Sequence, residues 1–294
     1  MVRGLVLSSA SRQEMSSEQW TNACLVTPRH AVRKRWNEAM LRRFSAERKA
    51  RIFVVVAEDR IDGRCLEMRE KFALVGKASN ESRRKKDLPE EIELALGMKV
   101  MVTRNLNTDL DVTNGARGEI VDIVLHPQEP PLRDEPIVKL TRLPMYILVK
   151  LDRTKACALP GLEEGVLPVE PVTTSTTIQL VKRGKTFQRT VWRKQFPITA
   201  AYGFTDYRSQ GQTIPTVIVD IKKHPPPGQL TLFSLYVALS RSRGRDTIRI
   251  LRDFDVQLLM QKHDGDLLKE DERLEKLNRE TKTWWESLGR GRTV

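Results

Sequence analysis

What this chain of 294 residues lacks narrows it first. No apolar run approaches the roughly 18–20 residues a membrane-spanning helix needs, so no spanning segment is expected. The opening MVRGLVLSSASRQEM holds too short an apolar stretch for a secretory signal, with Glu14 close behind it. Cysteine is scarce: Cys24, Cys65 and Cys157 stand far apart, odd in number, with no CxxC or CxxH spacing. That argues against a disulfide framework and a zinc site, and for a reducing compartment. The four histidines, His30, His126, His224 and His263, are isolated, and neither GxSxG nor HExxH occurs, so no metal-ligating set or catalytic triad emerges. A phosphate-binding P-loop is also missing. Gly184-Lys185-Thr186 has its ending, but the glycine required five residues earlier is Gln179. Phe187 to Trp192 moreover reads as a strand where a P-loop needs a helix. No hydrophobic strand ends in the Asp-Glu pair that would hold magnesium beside one.

What is present in excess is positive charge. Lys and Arg number 51 against 38 Asp and Glu, a net +13, in a chain that is 39% hydrophobic and 30% charged. Such a balance fits a globular protein with a polyanionic partner, most often nucleic acid. The first 86 residues hold 20 Lys and Arg against 10 Asp and Glu, leaving 31 and 28 for the remainder. Much of the excess sits between Pro28 and Arg51. Val32, Trp36, Met40, Leu41 and Phe44 fall there at three- and four-residue steps, as on one face of a helix. Arg33, Lys34, Arg42, Arg43, Arg48 and Lys49 lie off that face. A solvated helix surface and a phosphate-contacting one, which would bind in a salt-dependent way, remain equally open.

Along the chain, Ala23–Thr27 reads as a short buried strand and Arg51–Glu58 as a second one, rich in β-branched residues. Strand, helix, strand in this order predicts a parallel α/β unit. Arg83–Lys86 reads as an exposed basic linker or a localisation signal. From Gly97 the texture becomes short alternating strands (KVMVTRNL, GEIVDIVL, PIVKL, YILVKL, FQRTVW) divided by turn residues, as in a small antiparallel barrel or sheet. Beyond Phe196 the α/β texture returns. A buried strand, Thr216–Ile221, leads through the loop HPPPG to an apolar helix, Thr231–Arg241, and another strand, Thr247–Leu251. Asp253 to about Leu288 reads as surface helices ending in Trp284-Trp285. The domain division expected is 1–96 and 196–255 for one α/β domain, 97–195 for an inserted β module and 256–294 for a helical tail.

Two segments are more specific. Ile198–Asp220, containing Tyr202-Gly203-Phe204-Thr205-Asp206-Tyr207-Arg208-Ser209-Gln210-Gly211, is followed by Leu235–Leu251, containing Val237-Ala238-Leu239-Ser240-Arg241-Ser242-Arg243. Together they resemble motifs V and VI of superfamily-one helicases, in the RecD-like and Pif branch, with the nearest likeness to the helicase portion of fungal Helitron transposons. Thr205, Ser209, Gln210 and Gly211 match the first motif directly, Arg208 is conservative, and Tyr207 stands where the family has histidine. Leu25–Glu38 is similar to the family segment that opens onto the tracking strand, and Leu88–Ile123 to its entry into an inserted β-barrel, with Asn105, Asn114-Gly115 and Gly118 in place. For those glycines and asparagines turn geometry is favoured over ligand contact.

The resemblance implies an α/β fold: a second RecA-like helicase lobe built on a parallel sheet, with a small inserted antiparallel β-barrel and a C-terminal helical tail. It implies an ATP-dependent 5′-to-3′ DNA helicase, nuclear, engaged in genome maintenance. Arg241 becomes the arginine finger that meets a γ-phosphate, since a guanidinium fork matches the planar oxygens of the transition state. Taken alone, Arg241 reads equally well as a cation on a helix C-terminus. Gln210, Gly211, Arg241 and Arg243 would face the nucleotide, and Thr27, Arg29, Asn37, Thr205, Tyr207, Arg208 and Ser209 a single strand of DNA. The cofactors implied are ATP and Mg2+, usable only with a first RecA-like lobe that supplies the P-loop from elsewhere. Arg12-Gln13 sits too close to Thr27 for the preceding family motif. The alternative is a non-catalytic binding module for single-stranded nucleic acid, or a transposon remnant. A ribosome-associated barrel protein would explain the basicity and leave the motif pair without a role.

Overall fold

The computed structural model describes residues 2–7, 17–80, 88–182, 185–222, 231–260, 262 and 264–288. Arg12-Gln13, the basic run Arg83–Lys86, Gly184 and the HPPPG loop lie outside these. Among the described residues four α-helices exceed one turn: α1 (His30–Arg48), α2 (Met68–Asn80), α3 (Leu232–Leu239) and α4 (Gly265–Ser287). None is long and apolar enough to cross a membrane.

The α/β expectation holds. Four short strands form an all-parallel sheet in the order Gly203–Phe204, Cys24–Val26, Val217–Val219, Ile248–Ile250. Apart from Arg249, whose guanidinium lies over the Trp20 ring, their side chains are apolar and mostly β-branched because both faces are covered, as parallel sheets require. Leu25 and Ile218 point to one side, where Trp36 and Val32 of α1 pack with Trp20 and Ala23. Val26, Val217 and Val219 point to the other, against Leu235 and Ala238 of α3.

The expected strand-helix-strand unit is not formed. Ile52–Val56 is a strand, but it pairs antiparallel with Glu91–Ala95 and parallel with Ile137–Lys139, in a separate three-stranded sheet. Both neighbours of Cys24–Val26 are already taken by strands from far along the chain, so the strand after α1 finds its partners elsewhere. Ile137–Lys139, expected in the antiparallel module, is drawn away with it.

The remaining alternating strands make a five-stranded antiparallel sheet in the order Val166–Val169, Tyr146–Leu151, Arg117–Val124, Lys99–Val102, Ile198–Ala200. Val100, Ile120, Ile147 and Val149 are at most 1% exposed and centre the largest core. Gly118 serves close packing rather than a turn: a Cβ there would sit 2.2 Å from the Lys150 carbonyl oxygen. The register shift between Ile120 and Asp122 lies just beyond it, a bulge that bends the strand.

FQRTVW belongs to something longer than expected. Val172–Lys182 and Lys185–Gln195 pair through eleven residues as one antiparallel ribbon, whose second strand also pairs with Glu58–Ile61. Lys185 thus opens a strand and not the helix of a P-loop. One ribbon face buries Ile178 and Val191 with Ile61 and Leu66, under Ala73 and Leu74 of α2. At the C-terminal end α4 runs exposed along its whole length, Trp284 and Trp285 included.

Candidate functional site

Open α/β sheets bind ligands beyond the carboxyl ends of their strands. Here those ends meet at Thr27, Thr205, Asp220 and Arg252. Thr27 N–H donates to the Phe204 carbonyl at 3.0 Å and Asp220 N–H to that of Val26 at 2.8 Å, which levels the rim. Asp220, 1% exposed, collects the surrounding donors. Its carboxylate accepts from Thr27 Oγ1 at 3.0 Å, from Arg29 Nε and Nη2 at 3.3 and 2.8 Å, and from Arg252 Nε and Nη2 at 2.9 and 2.6 Å. Burial pushes this carboxyl up, but the Arg252 and Arg29 hydrogen bonds and charges outweigh it and hold it below its ordinary value. Arg29 and Arg252 remain about a third exposed at the rim, with side-chain exposures of 28% and 33%. Two cations on one carboxylate leave this corner net positive.

The second cluster joins the two motif segments. Thr205 opens a single helical turn, Asp206–Ser209, and Gly211 follows with φ +74, a left-handed conformation that favours glycine. Thr205 and Ser209 are buried, while Gln210 is exposed. Arg208 is half-buried, and burial draws its guanidinium below its usual value. Arg241 stands just past α3, whose start is capped by Thr231 Oγ1 accepting from Ser234 N–H at 3.1 Å. Its Nη1 donates to the carbonyls of Ser209 and Gln212 at 3.1 and 3.0 Å, its Nε to Val237 at 2.7 Å and its Nη2 to Ser240 Oγ at 2.7 Å. The Ile214 N–H returns a bond to the Arg241 carbonyl at 2.9 Å. In this arrangement Arg241 clasps the loop after Ser209 to the helix end, and Arg243 is exposed two residues on.

The other anticipated residues are dispersed. Asn37 is 6% exposed, and its amide donates to the Ala200 and Gly203 carbonyls at 3.0 and 3.5 Å, tying α1 to the sheet. The backbone of Tyr207 lies in the turn with Ser209; its side chain lies outside the described residues. Of the cations on α1, Lys34, Arg42 and Arg43 pair with Glu38, Glu93 and Glu47, so that helix face is partly neutralised.

Sequence reasoning missed Asp220, Arg252, Gln212 and Arg117. Asp220 had a signal: a buried apolar strand, TVIVD, that ends on an acid. Arg117 reaches across from the antiparallel sheet, hydrogen-bonding Gln212 Oε1 and stacking 4.1 Å over the Phe204 ring. Burial lowers its guanidinium below the ordinary value. Only folding brings residues 117 and 212 together.

No family model matches the chain. In sequence it is similar to the ATP-dependent DNA helicase PIF1 of Danio rerio, 26% identical over 173 residues, which is 59% of this chain and 21% of that protein. In structure it is similar to the Pif1 helicase from Candida albicans, with TM-score 0.54 and 21% identity over 93% of this chain and 53% of that one. It is also similar to a Bacteroides Pif1 helicase in complex with ADP-AlF3 and single-stranded DNA, with TM-score 0.52 and 21% identity over 90% of this chain and 48% of that one. The chain spans about a fifth of the length of the vertebrate relatives it matches.

Proposed function

This chain is related to the Pif-family superfamily-one helicases, and from that premise we propose that it acts as the second motor lobe of an ATP-dependent 5′-to-3′ DNA helicase of the Pif/Helitron type. The observation that supports the reading is the Arg241 clasp, which holds the segment through Ser209 and Gln212 against the end of α3. The donor set suits one edge of a nucleotide and not a whole one. Gln210 and Arg243 are exposed, the Arg241 donors are engaged within the chain, and no P-loop stands in the sequence. ATP with Mg2+ would therefore sit chiefly on a first RecA-like lobe, and this chain alone would turn over no ATP. Single-stranded DNA, the ligand of the Bacteroides relative, would track past Arg29, at the rim above the fully buried Thr27, and over the Thr205–Ser209 turn, in the nucleus.

Two measurements test this. Purified chain should bind oligo-dT in a salt-dependent way, and Arg29→Ala and Tyr207→Ala should each weaken it. Unchanged affinity for both variants at matched salt removes the track. DNA-stimulated ATP turnover should be absent from the chain and appear when a P-loop lobe is added; turnover by the chain alone overturns the assignment. The second reading, a binding module that works without nucleotide, draws on the same Arg241, whose donors are already satisfied. Binding that persists while added P-loop lobe restores no turnover would favour it.

A further inference from the structure

α4 is a helix of 23 residues, about 35 Å long, and none of its side chains is buried. Among the described residues, none of the four apolar clusters takes in any part of it. Its ion pairs, Asp266–Lys269, Glu270–Arg273, Lys276–Glu280 and Lys282–Glu286, form within the helix. Helices in proteins draw most of their stability from packing an apolar face, and α4 has such a face. Leu267, Leu274, Leu277 and Trp284, each at least 42% exposed, stand on the a and d positions of a heptad. Glu270 and Thr281 fill the remaining positions of that seam. From Leu267 to Trp284 the seam runs apolar, polar, apolar, apolar, polar, apolar, the same order from either end. Charge is divided along it. Gly265–Glu275 holds five acids against two bases, and Lys276–Ser287 two acids against three bases, with Arg290 and Arg292 next in sequence.

We propose that α4 is a dimerisation helix that pairs antiparallel with α4 of a second copy of this chain. Reversal about a two-fold axis sets Leu267 against Trp284 of the second copy, Leu274 against Leu277, and Glu270 beside Thr281, each layer occurring twice. The acidic half of each helix then lies along the basic half of the other. Beside the seam, Arg273 faces Glu280 of the second copy, again twice. A parallel pair would instead stack Glu270 on its own copy at a core position and lay one acidic half along the other. Like charges so placed disfavour that arrangement, and the polar layer fixes the register. A partner of unrelated sequence places no demand on the order within the seam; a second copy does, and the order meets it. α4 is also the acidic part of a chain with net charge +13, with seven acids against five bases, so two copies can meet here without setting basic surfaces together.

The test is sedimentation velocity on the full chain, without DNA. The parent should be a dimer at about 100 μM and dissociate on dilution, as mass action requires. Leu274→Glu with Leu277→Glu, at exposed positions outside the apolar clusters, should stay monomeric throughout. Its urea midpoint should equal that of the diluted parent, which separates loss of pairing from loss of fold. Arg273→Glu and Glu280→Arg should each be monomeric, since each sets like charges across the pair. Mixed in equal amounts they should form a heterodimer, because opposite charges then face each other on both sides. A parent that is monomeric at that concentration overturns the proposal and leaves the seam to a partner of another sequence. A dimer that survives the two leucine substitutions overturns it by placing the contact elsewhere. A mixture of the two charge variants that stays monomeric overturns the antiparallel pairing.

Discussion

The Asp220 carboxylate receives the Arg252 guanidinium as a fork, Nε to Oδ1 at 2.9 Å and Nη2 to Oδ2 at 2.6 Å, in a site where the acid has no exposure. Arg29 and Thr27 converge on the same Oδ2. The bond joins the ends of two adjacent parallel strands, and Thr27 extends it to a third. Removing the acid would leave two guanidinium groups facing each other with no counter-charge. Asp220→Ala should therefore cost about 3–5 kcal/mol, the range for breaking one side of a buried pair. Urea unfolding followed by tryptophan fluorescence reads this, and a loss below about 1 kcal/mol would mean that water replaces the acid.

The same ion pair sets an acid limit on stability. The folded Asp220 carboxyl titrates below its ordinary value, so its contribution is complete above the unfolded value of about 3.9 and is lost as pH falls through the folded one. Glu70 adds to this. Arg64 donates to both of its oxygens at 2.8 and 2.7 Å and holds its carboxyl down to about 2. Urea midpoints should be level from neutrality to about pH 5 and then fall steeply. Asp220→Asn with Glu70→Gln should start lower at neutrality and fall less on acidification. An equally steep fall in that variant would assign the acid limit to other groups.

Local pattern reached some of this arrangement and not the rest. The strands around Leu25, Ile218 and Ile248 were legible because a fully buried parallel strand must be short, apolar and β-branched. The motif segments were legible because their residue types sit close together in sequence. Pairing was not. Nothing within Ile52–Val56 says that its neighbours are Glu91–Ala95 and Ile137–Lys139, since the sheet it would have joined is filled by strands from residues 203 and 217 onward. Asn37 illustrates the converse. The family resemblance implies a strand contact for it, yet the close approach of α1 to Gly203 turns its amide inward.

Two glycines separate steric from conformational need. At Gly118 an added Cβ would meet the Lys150 carbonyl oxygen at 2.2 Å and Val149 Cγ1 at 2.9 Å, between paired strands that cannot part. At Gly211 nothing lies within 4 Å, and the demand is only its φ of +74. Gly118→Ala should cost about 3 kcal/mol or more through overpacking, and Gly211→Ala about 1 kcal/mol through backbone strain. Thermal unfolding of the pair checks the order; the reverse order would mean that the sheet relaxes around residue 118.

Arg241 gives the sharpest separation between a structural and a chemical role. Its guanidinium reaches the Val237, Ser209 and Gln212 carbonyls and Ser240 Oγ at once, from three nitrogens in a fixed plane. A lysine keeps the charge but offers one nitrogen, so it can satisfy only part of that set. Arg241→Lys should therefore loosen the loop after Ser209 by about 1–3 kcal/mol, the value of hydrogen bonds from a charged donor. Hydrogen exchange at the Ile214 amide, which is bonded to the Arg241 carbonyl, should quicken by about tenfold or more, while the Ile218 and Val219 amides in the sheet stay protected. Unchanged exchange at Ile214 would remove the clasp. Catalytic service as a finger predicts something further, a fall of roughly a thousandfold in ATP turnover once a P-loop lobe is supplied. If turnover falls only by the few-fold that a loosened loop explains, the clasp is the whole role of Arg241, and the γ-phosphate is met by another cation, for which Arg243 is the exposed neighbour.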